Sequence, residues 1–167
     1  MSFEIERKFL VRGDDWRGLA TGQSSIRQAY LDSNAKATIR IRIRDNSSAT
    51  LTIKSRPPDL RRLELEYPIP VLEAEALMLL RQGLVIEKVR YLVPNGKLTW
   101  EIDVFSGENL GLVIAEIELP DEHHPVELSP WIGAEVTRRV QYYNSALVQR
   151  PFSTWTNRDV AAVEALG

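Results

Sequence analysis

Along most of the chain, hydrophobic and polar positions alternate one by one, the period of a strand that covers only one of its faces. In Phe3-Glu4-Ile5-Glu6-Arg7-Lys8-Phe9 the alternation puts Glu4, Glu6 and Lys8 on one face, and in Ile39-Arg40-Ile41-Arg42-Ile43-Arg44 it sets three guanidinium groups opposite three isoleucines. The pattern recurs over residues 2–11, 25–32, 37–45, 49–56, 61–69, 84–93, 97–106 and 111–119, which predicts eight strands. Asp45-Asn46-Ser47-Ser48, Pro57-Pro58-Asp59, Pro94-Asn95-Gly96 and Ser106-Gly107-Glu108-Asn109 separate them with residues that favour tight or left-handed backbone. Links this short imply antiparallel neighbours. One helix interrupts the series over 70–82. Pro70 opens it, Glu73 and Glu75 lie near its positive end, Gly83 stands to terminate it, and Val71, Ala74, Leu77 and Met78 form a face for the apolar side of the sheet. After Pro125 the alternation fades, and 145–148 and 157–166 read as helical.

The fold depends on where the charged faces go. Eight antiparallel strands can close into a barrel, which removes exposed edges and turns every second side chain into a lumen. An open sheet with its charges in water is the other arrangement. Solvent faces commonly mix Thr, Ser, Gln and Lys, whereas Arg40/Arg42/Arg44, Glu64/Glu66, Lys88/Arg90, Glu101/Asp103 and Glu116/Glu118 are nearly pure sets at one spacing. Arginines two apart on a strand stand roughly 7 Å from each other and need nearby counter-charge, which acidic strands or a bound anion supply. The expected fold is therefore α+β: a closed eight-stranded antiparallel barrel with a charged lumen and helices packed outside, in one domain spanning 1–167.

Composition narrows the function. A net charge of -2 argues against a generic nucleic-acid binder, so any affinity for phosphate must be local. The absence of cysteine excludes disulfides, thiolate nucleophiles and thiolate zinc sites. No apolar run approaches the roughly 20 residues that span a bilayer, and Met1-Ser2-Phe3-Glu4 has no leader pattern, so the expected location is the cytoplasm without a membrane partner. Phosphate-binding glycine loops and a Gly-x-Ser-x-Gly elbow are also missing. His123 and His124 lie in a polar loop and read as solvated, while Trp16, Trp100, Trp131 and Trp155 are scattered and read as packing. With no nucleophile–base pair visible, water is the expected attacking group.

Glu4, Glu6, Glu116 and Glu118 offer hard oxygen ligands of the kind Mg²⁺ and Mn²⁺ prefer, with Asp103 as a further ligand or the holder of a metal-bound water. One Glu-x-Glu alone more often marks a structural ion pair; several in one small domain are more specific. Lys8, Arg40, Arg42, Arg44, Lys54, Lys88 and Arg90 can reach phosphate oxygens, the guanidinium groups two at a time. A purely structural role for these charges is the competing reading, and it is weakened because buried ion pairs without a ligand stabilise poorly.

Glu4-Ile5-Glu6-Arg7-Lys8 resembles the Glu-x-Glu-x-Lys signature of the CYTH superfamily, the triphosphate tunnel metalloenzymes, which includes class IV adenylate cyclases, thiamine triphosphatases and bacterial inorganic triphosphatases. The likeness continues in order through Arg27-Gln28-Ala29-Tyr30-Leu31, Arg42-Ile43-Arg44, Leu51-Thr52-Ile53-Lys54, Glu64-Leu65-Glu66, Glu87-Lys88-Val89-Arg90-Tyr91, Glu101-Ile102-Asp103-Val104-Phe105 and Glu116-Ile117-Glu118. It covers roughly residues 3–144 and is most similar to the short bacterial members. The resemblance implies a tunnel whose basic residues bind a triphosphate and whose acidic residues bind Mg²⁺ or Mn²⁺. It departs at Arg139 and Gln141, where related sequences often carry Asp and Arg. The last twenty residues carry no motif, and a helix closing or flanking one tunnel end is the expectation there.

The activity expected is metal-dependent hydrolysis of inorganic tripolyphosphate to pyrophosphate and phosphate, with Glu64, Glu66, Asp103 and Lys88 as the candidates to orient or deprotonate water. Class IV-type adenylate cyclase, thiamine triphosphatase and a non-catalytic binder of polyphosphate or nucleotide are the alternatives. The partner is a small-molecule triphosphate, and a homodimer is compatible with the sequence.

Overall fold

Alternation becomes a barrel because each strand has one neighbour on either side and the last free edges find each other. The computed structural model describes residues 2–56 and 61–159 of the chain. Among the described residues nine strands form: β1 Ser2–Val11, β2 Gly22–Ser33, β3 Ala37–Arg44, β4 Ser48–Ser55, β5 Arg61–Ile69, β6 Gln82–Asn95, β7 Leu98–Phe105, β8 Val113–Glu118 and β9 Ile132–Glu135. Their order is β5-β4-β3-β2-β6-β7-β8-β1-β9, every pair antiparallel, and an additional β5–β1 pairing closes the first eight into a barrel. Asp45 and Asn46, both at positive φ, turn β3 into β4, and Gly96 at φ 63° turns β6 into β7. The eight strands stand close to the expected positions.

β9 is an addition. Its four residues pair with β1 through Phe9↔Glu135 and Val11↔Ile132, beyond the stretch of β1 that β5 covers. Four residues, one of them Gly133, are too few to show a clear period of two.

Outside the barrel lie two apolar layers. Ala29, Ile41, Ile43 and Ala49 are covered by α1, Val71–Met78, through Ala74 and Met78, with Val71 and Leu77 packed at the edge. The helix thus lies on the face its spacing implies. On the other side, Phe9, Trp100, Ile102, Ala115 and Ile117 are covered by Trp16 and Trp131, with the Trp100 ring edge-on to Phe9 and Trp131. Here the cover comes from a short 3-10 turn, Asp15–Leu19, and the segment that carries Trp131, rather than from a long helix.

α1 stops at Met78, short of the residue-82 end expected for it, and Gly83 belongs to β6. A Cβ on Gly83, whose φ is +69°, would lie 2.2 Å from the carbonyl oxygen of Val148. The glycine serves a close approach: the next residue, Leu84, donates its N–H to that same oxygen at 2.9 Å. The second helix, α2 Asn144–Leu147, begins one residue before the expected 145–148. Residues 157–159 are helical, and the rest of the expected 157–166 helix lies outside the described residues. No helix among the described residues is long and apolar enough to cross a membrane.

Candidate active site

Directly opposed residues of an antiparallel pair share a face. The register therefore fixes what points inward. Lys8 opposes Glu116, Arg90 opposes Asp103, Arg42 opposes Gln28 and Thr50, and Lys54 opposes Glu64, so charged side chains from seven barrel strands and the Gln28 amide from β2 meet in one lumen. A cavity there is lined by Glu6, Lys8, Arg40, Arg42, Lys54, Lys88, Arg90 and Glu116 among the residues expected from the sequence. Tyr30, Thr38, Thr52, Arg56, Arg62, Tyr143, Asn144 and Ser145 line it as well and were not selected. Arg62 was legible, since it shares the period of Glu64 and Glu66. Tyr143 to Ser145 carried no alternation and arrive from the segment after β9.

Around Asp103 the charges are paired most tightly. Its carboxylate is fully buried and accepts from Lys88 Nζ at 2.7 Å and from Arg90 Nε and Nη2 at 2.8 and 2.9 Å. Arg90 Nη1 also donates to Glu101 at 2.6 Å, and Lys8 Nζ lies 3.3 Å from Glu116. Burial works against charge on Asp103, Glu116, Lys8, Lys88 and Arg90, and the partners decide the outcome. Asp103 and Glu116 stay below the usual carboxylate range because Arg90 and Lys88 hold the first and Lys8 and Arg90 the second. For Lys88 burial wins: with Arg90 and Arg42 repelling it and Asp103 attracting it, its ammonium is pushed down to about 7. Both Asp103 oxygens are occupied by cations, so in this arrangement Asp103 is their counter-ion.

Other cations are less satisfied. Arg42 donates Nε–H to the neutral Gln28 side chain at 2.8 Å, and burial, reinforced by Arg40 and Arg90, pushes its guanidinium down to about 9. Arg44 bonds Ser24 at 2.7 Å, and Arg40 bonds Thr52 at 3.2 Å with Glu66 at 3.8 Å. The Nε groups of Arg40 and Arg62 are buried without a hydrogen-bond partner among the described residues. Buried donors left unmade cost roughly 1–3 kcal/mol each, a cost that an anion's oxygens would remove.

The remaining carboxylates crowd one another. Glu6 stands opposite Glu118 in the β1–β8 register. Burial, then Glu116, raises the Glu6 carboxyl above its ordinary value, and burial, then Glu4, Glu101 and Glu6, does the same for Glu118. Lys54 offsets part of this, with Nζ 2.5 Å from Glu4 and 3.9 Å from Glu6 and from Glu64. The Lys54–Glu4 contact is one of charge, because Glu4 Oε2 is buried without an aligned donor. Among the described residues no three such ligands converge as a preformed metal cluster. The donor set nonetheless fits a hard divalent cation, being all oxygen and mutually repelling. His123 and His124 stand apart from the lumen, His124 3.8 Å from Asp121.

One end of the lumen is apolar. Ile86, Phe105 and Ile114 oppose Gln28, Lys88 and Asp103 and so also point inward. They pack with Tyr30, Leu112, Tyr142, Leu147 and Val148, and the segment around α2 thereby closes that end. At another edge Glu101 and Glu118 adjoin an opening walled by Leu92, Leu98, Leu119 and Pro120.

The profile of the CYTH domain matches residues 2–152. The chain is similar to the inorganic triphosphatase of Acetivibrio thermocellus, 46% identical over 156 residues, or 93% of this chain and 99% of that protein. Among solved structures it is similar to the inorganic triphosphatase NE1496, with a TM-score of 0.62 and 32% identity over 87% of this chain and 97% of that one. The adenylyl cyclase-like protein HpAC1 from Hippeastrum, described as having a dominant triphosphatase activity, superimposes with a TM-score of 0.56 at 15% identity over 94% of each chain, a likeness of fold alone.

Proposed function

This chain belongs to the CYTH family, and from that premise we propose that it hydrolyses inorganic tripolyphosphate to pyrophosphate and phosphate inside the barrel, with Mg²⁺ or Mn²⁺ as cofactor. The observation that carries the reading is the unequal pairing of the lumen charges. Arg40 and Arg42 hold their guanidinium groups on the neutral side chains of Thr52 and Gln28, and the Nε–H groups of Arg40 and Arg62 are unmade although Arg62 Nη2 donates to Glu6 at 3.0 Å, which suits a polyanion rather than a self-neutralised core.

In the proposed mechanism Arg40, Arg42, Arg44 and Lys54 grip the phosphates from β3 and β4, and Lys8, Lys88 and Arg90 do so from β1 and β6. Asp103 orients Lys88 and Arg90, so its role is electrostatic. Glu4, Glu6, Glu116 and Glu118 are the residues that would hold the divalent ion. When bound, such an ion neutralises phosphoryl charge and acidifies a coordinated water. Glu116 remains ionised beside Lys8 and Arg90, as a ligand must. Lys88, pushed down to about 7, can accept a proton at neutral pH and return it, and Glu64 and Glu66 are the carboxylates available to orient water. Positioning and preorganised charge supply most of the acceleration in phosphoryl transfer.

The test is phosphate release from tripolyphosphate after chelation and re-addition of Mg²⁺ or Mn²⁺, in wild type, Glu4→Gln and Arg42→Ala. Wild type should be active only with metal, and both variants should be impaired. Equal rates in all three proteins, or rates indifferent to chelation, would overturn the proposal. A second reading, an organic triphosphate as substrate, draws on the Leu92, Leu98, Leu119 and Pro120 wall beside Glu101 and Glu118. Faster turnover of ATP or thiamine triphosphate than of tripolyphosphate would favour it.

A further inference from the structure

Two of the lumen cations are linked by amides instead of carboxylates. Arg42 Nε donates to Gln28 Oε1 at 2.8 Å, Gln28 Nε2 donates to Asn144 Oδ1 at 3.0 Å, and Lys88 Nζ donates to that same oxygen at 3.1 Å. Gln28 is fully buried, and Asn144 is nearly so. The link runs from β3 through β2 to the start of α2 and on to β6. It spans strands that are not neighbours. Asn144 is held there because Tyr142, Leu147 and Val148 are packed into the apolar end of the lumen, and the Tyr143 hydroxyl donates to the Thr137 carbonyl at 2.5 Å.

Arg42 and Lys88 repel each other. A carboxylate between them would hold them in place but spend their charge. An amide supplies acceptor oxygens with no net charge, so it fixes position, leaves the charge of Arg42 unspent and adds nothing to the Asp103 carboxylate already beside Lys88. We propose that Gln28 and Asn144 are positioning residues for the hydrolysis, a neutral bridge that sets the distance and orientation of Arg42 and Lys88 for the phosphates. The inference rests on the triphosphatase reading above. It also gives the segment after β9, where no role was legible, a part in the site.

A double-mutant cycle of Asn144→Ala and Gln28→Leu tests the bridge, read in kcat and KM for tripolyphosphate and in tripolyphosphate affinity by calorimetry. Each single variant should lose about tenfold to about a hundredfold in kcat/KM, as a misplaced positioning group does. The double variant should lose little more than either single one, because both remove the same link. Asn144→Asp keeps the acceptor oxygen but adds a charge beside Lys88, so it should raise KM more than it lowers kcat; should Asn144→Ala fail to fold, Asn144→Leu, which keeps the size and removes the acceptor, takes its place in the cycle. Single variants within twofold of wild type, or losses that multiply in the double variant, would overturn the bridge. Wild type inactive on tripolyphosphate would remove the triphosphatase reading instead, and the affinity cycle would still decide the bridge.

Discussion

Replacing Asp103 by Asn removes the charge on which Lys88 and Arg90 both lean while keeping the side chain's size. Three hydrogen bonds of 2.7 to 2.9 Å end on this carboxylate, in a spot without solvent access. Breaking a buried pair by removing one partner costs about 3–5 kcal/mol. In a protein of this size that is a fall of about 6–20 °C in Tm, at about 2–4 °C per kcal/mol. The cost should depend on pH. In wild type Lys88 holds its proton below about 7. In the variant burial acts with Arg90 and Arg42 and without the offsetting carboxylate, so folded Lys88 gives up its proton at still lower pH. Between those two values the variant loses up to about 1.4 kcal/mol more per pH unit of acidification. Thermal unfolding of both proteins at pH 6 and pH 8 measures this, and the gap should be wider at pH 6. A Tm change under about 2 °C at both pH values, with activity alone abolished, would refute the counter-ion role and favour Asp103 as a metal ligand or base.

Three further outcomes follow. Arg42→Ala removes charge-assisted bonds worth about 1.5–3 kcal/mol, so kcat/KM for tripolyphosphate should fall about tenfold to about a hundredfold in steady-state assays. Gly83→Ala forces a Cβ to 2.2 Å from the Val148 carbonyl at a positive φ, and should destabilise by about 1–3 kcal/mol in urea unfolding, through the contact between β6 and α2. For pH, Asp103 and Glu116 have folded values below their ordinary 3.8 and 4.5, so their contribution is present above those values and is lost as pH falls through the lower folded ones. Lys8 is raised above 10.5, so its contribution holds below that value and is lost as pH rises through the folded one. Calorimetry across pH should show a loss below about 4 that substitution of Asp103 makes smaller.

The barrel was legible because its sequence signal is local. Six residues, Ile39 to Arg44, already state that one face is aliphatic and the other cationic, and the repeated charge sets allow the cationic face only a solvent coat or a lumen. What the sequence did not reveal depends on contacts distant along the chain. β9 is too short to display a period. The role of Asp103 depends on which strand lies beside β7, and Lys88 and Arg90 were visible only as charges of the right sign. The apolar end of the lumen was hidden because Ile86, Phe105 and Ile114 look like any core residue until the register turns them inward. Tyr143 and Asn144 enter the site by tertiary placement and show no periodic pattern. Arg62 was a different kind of omission, since its alternation with Glu64 was readable.

The central claim, that these inward charges bind tripolyphosphate and cleave it, is tested most directly by following the phosphorus NMR spectrum of tripolyphosphate with protein and Mg²⁺ or Mn²⁺. Wild type should convert it to equal amounts of pyrophosphate and orthophosphate, and Arg42→Ala should do so at a small fraction of the rate. Tripolyphosphate recovered intact from wild type, or cleaved as fast by Arg42→Ala, would contradict the account.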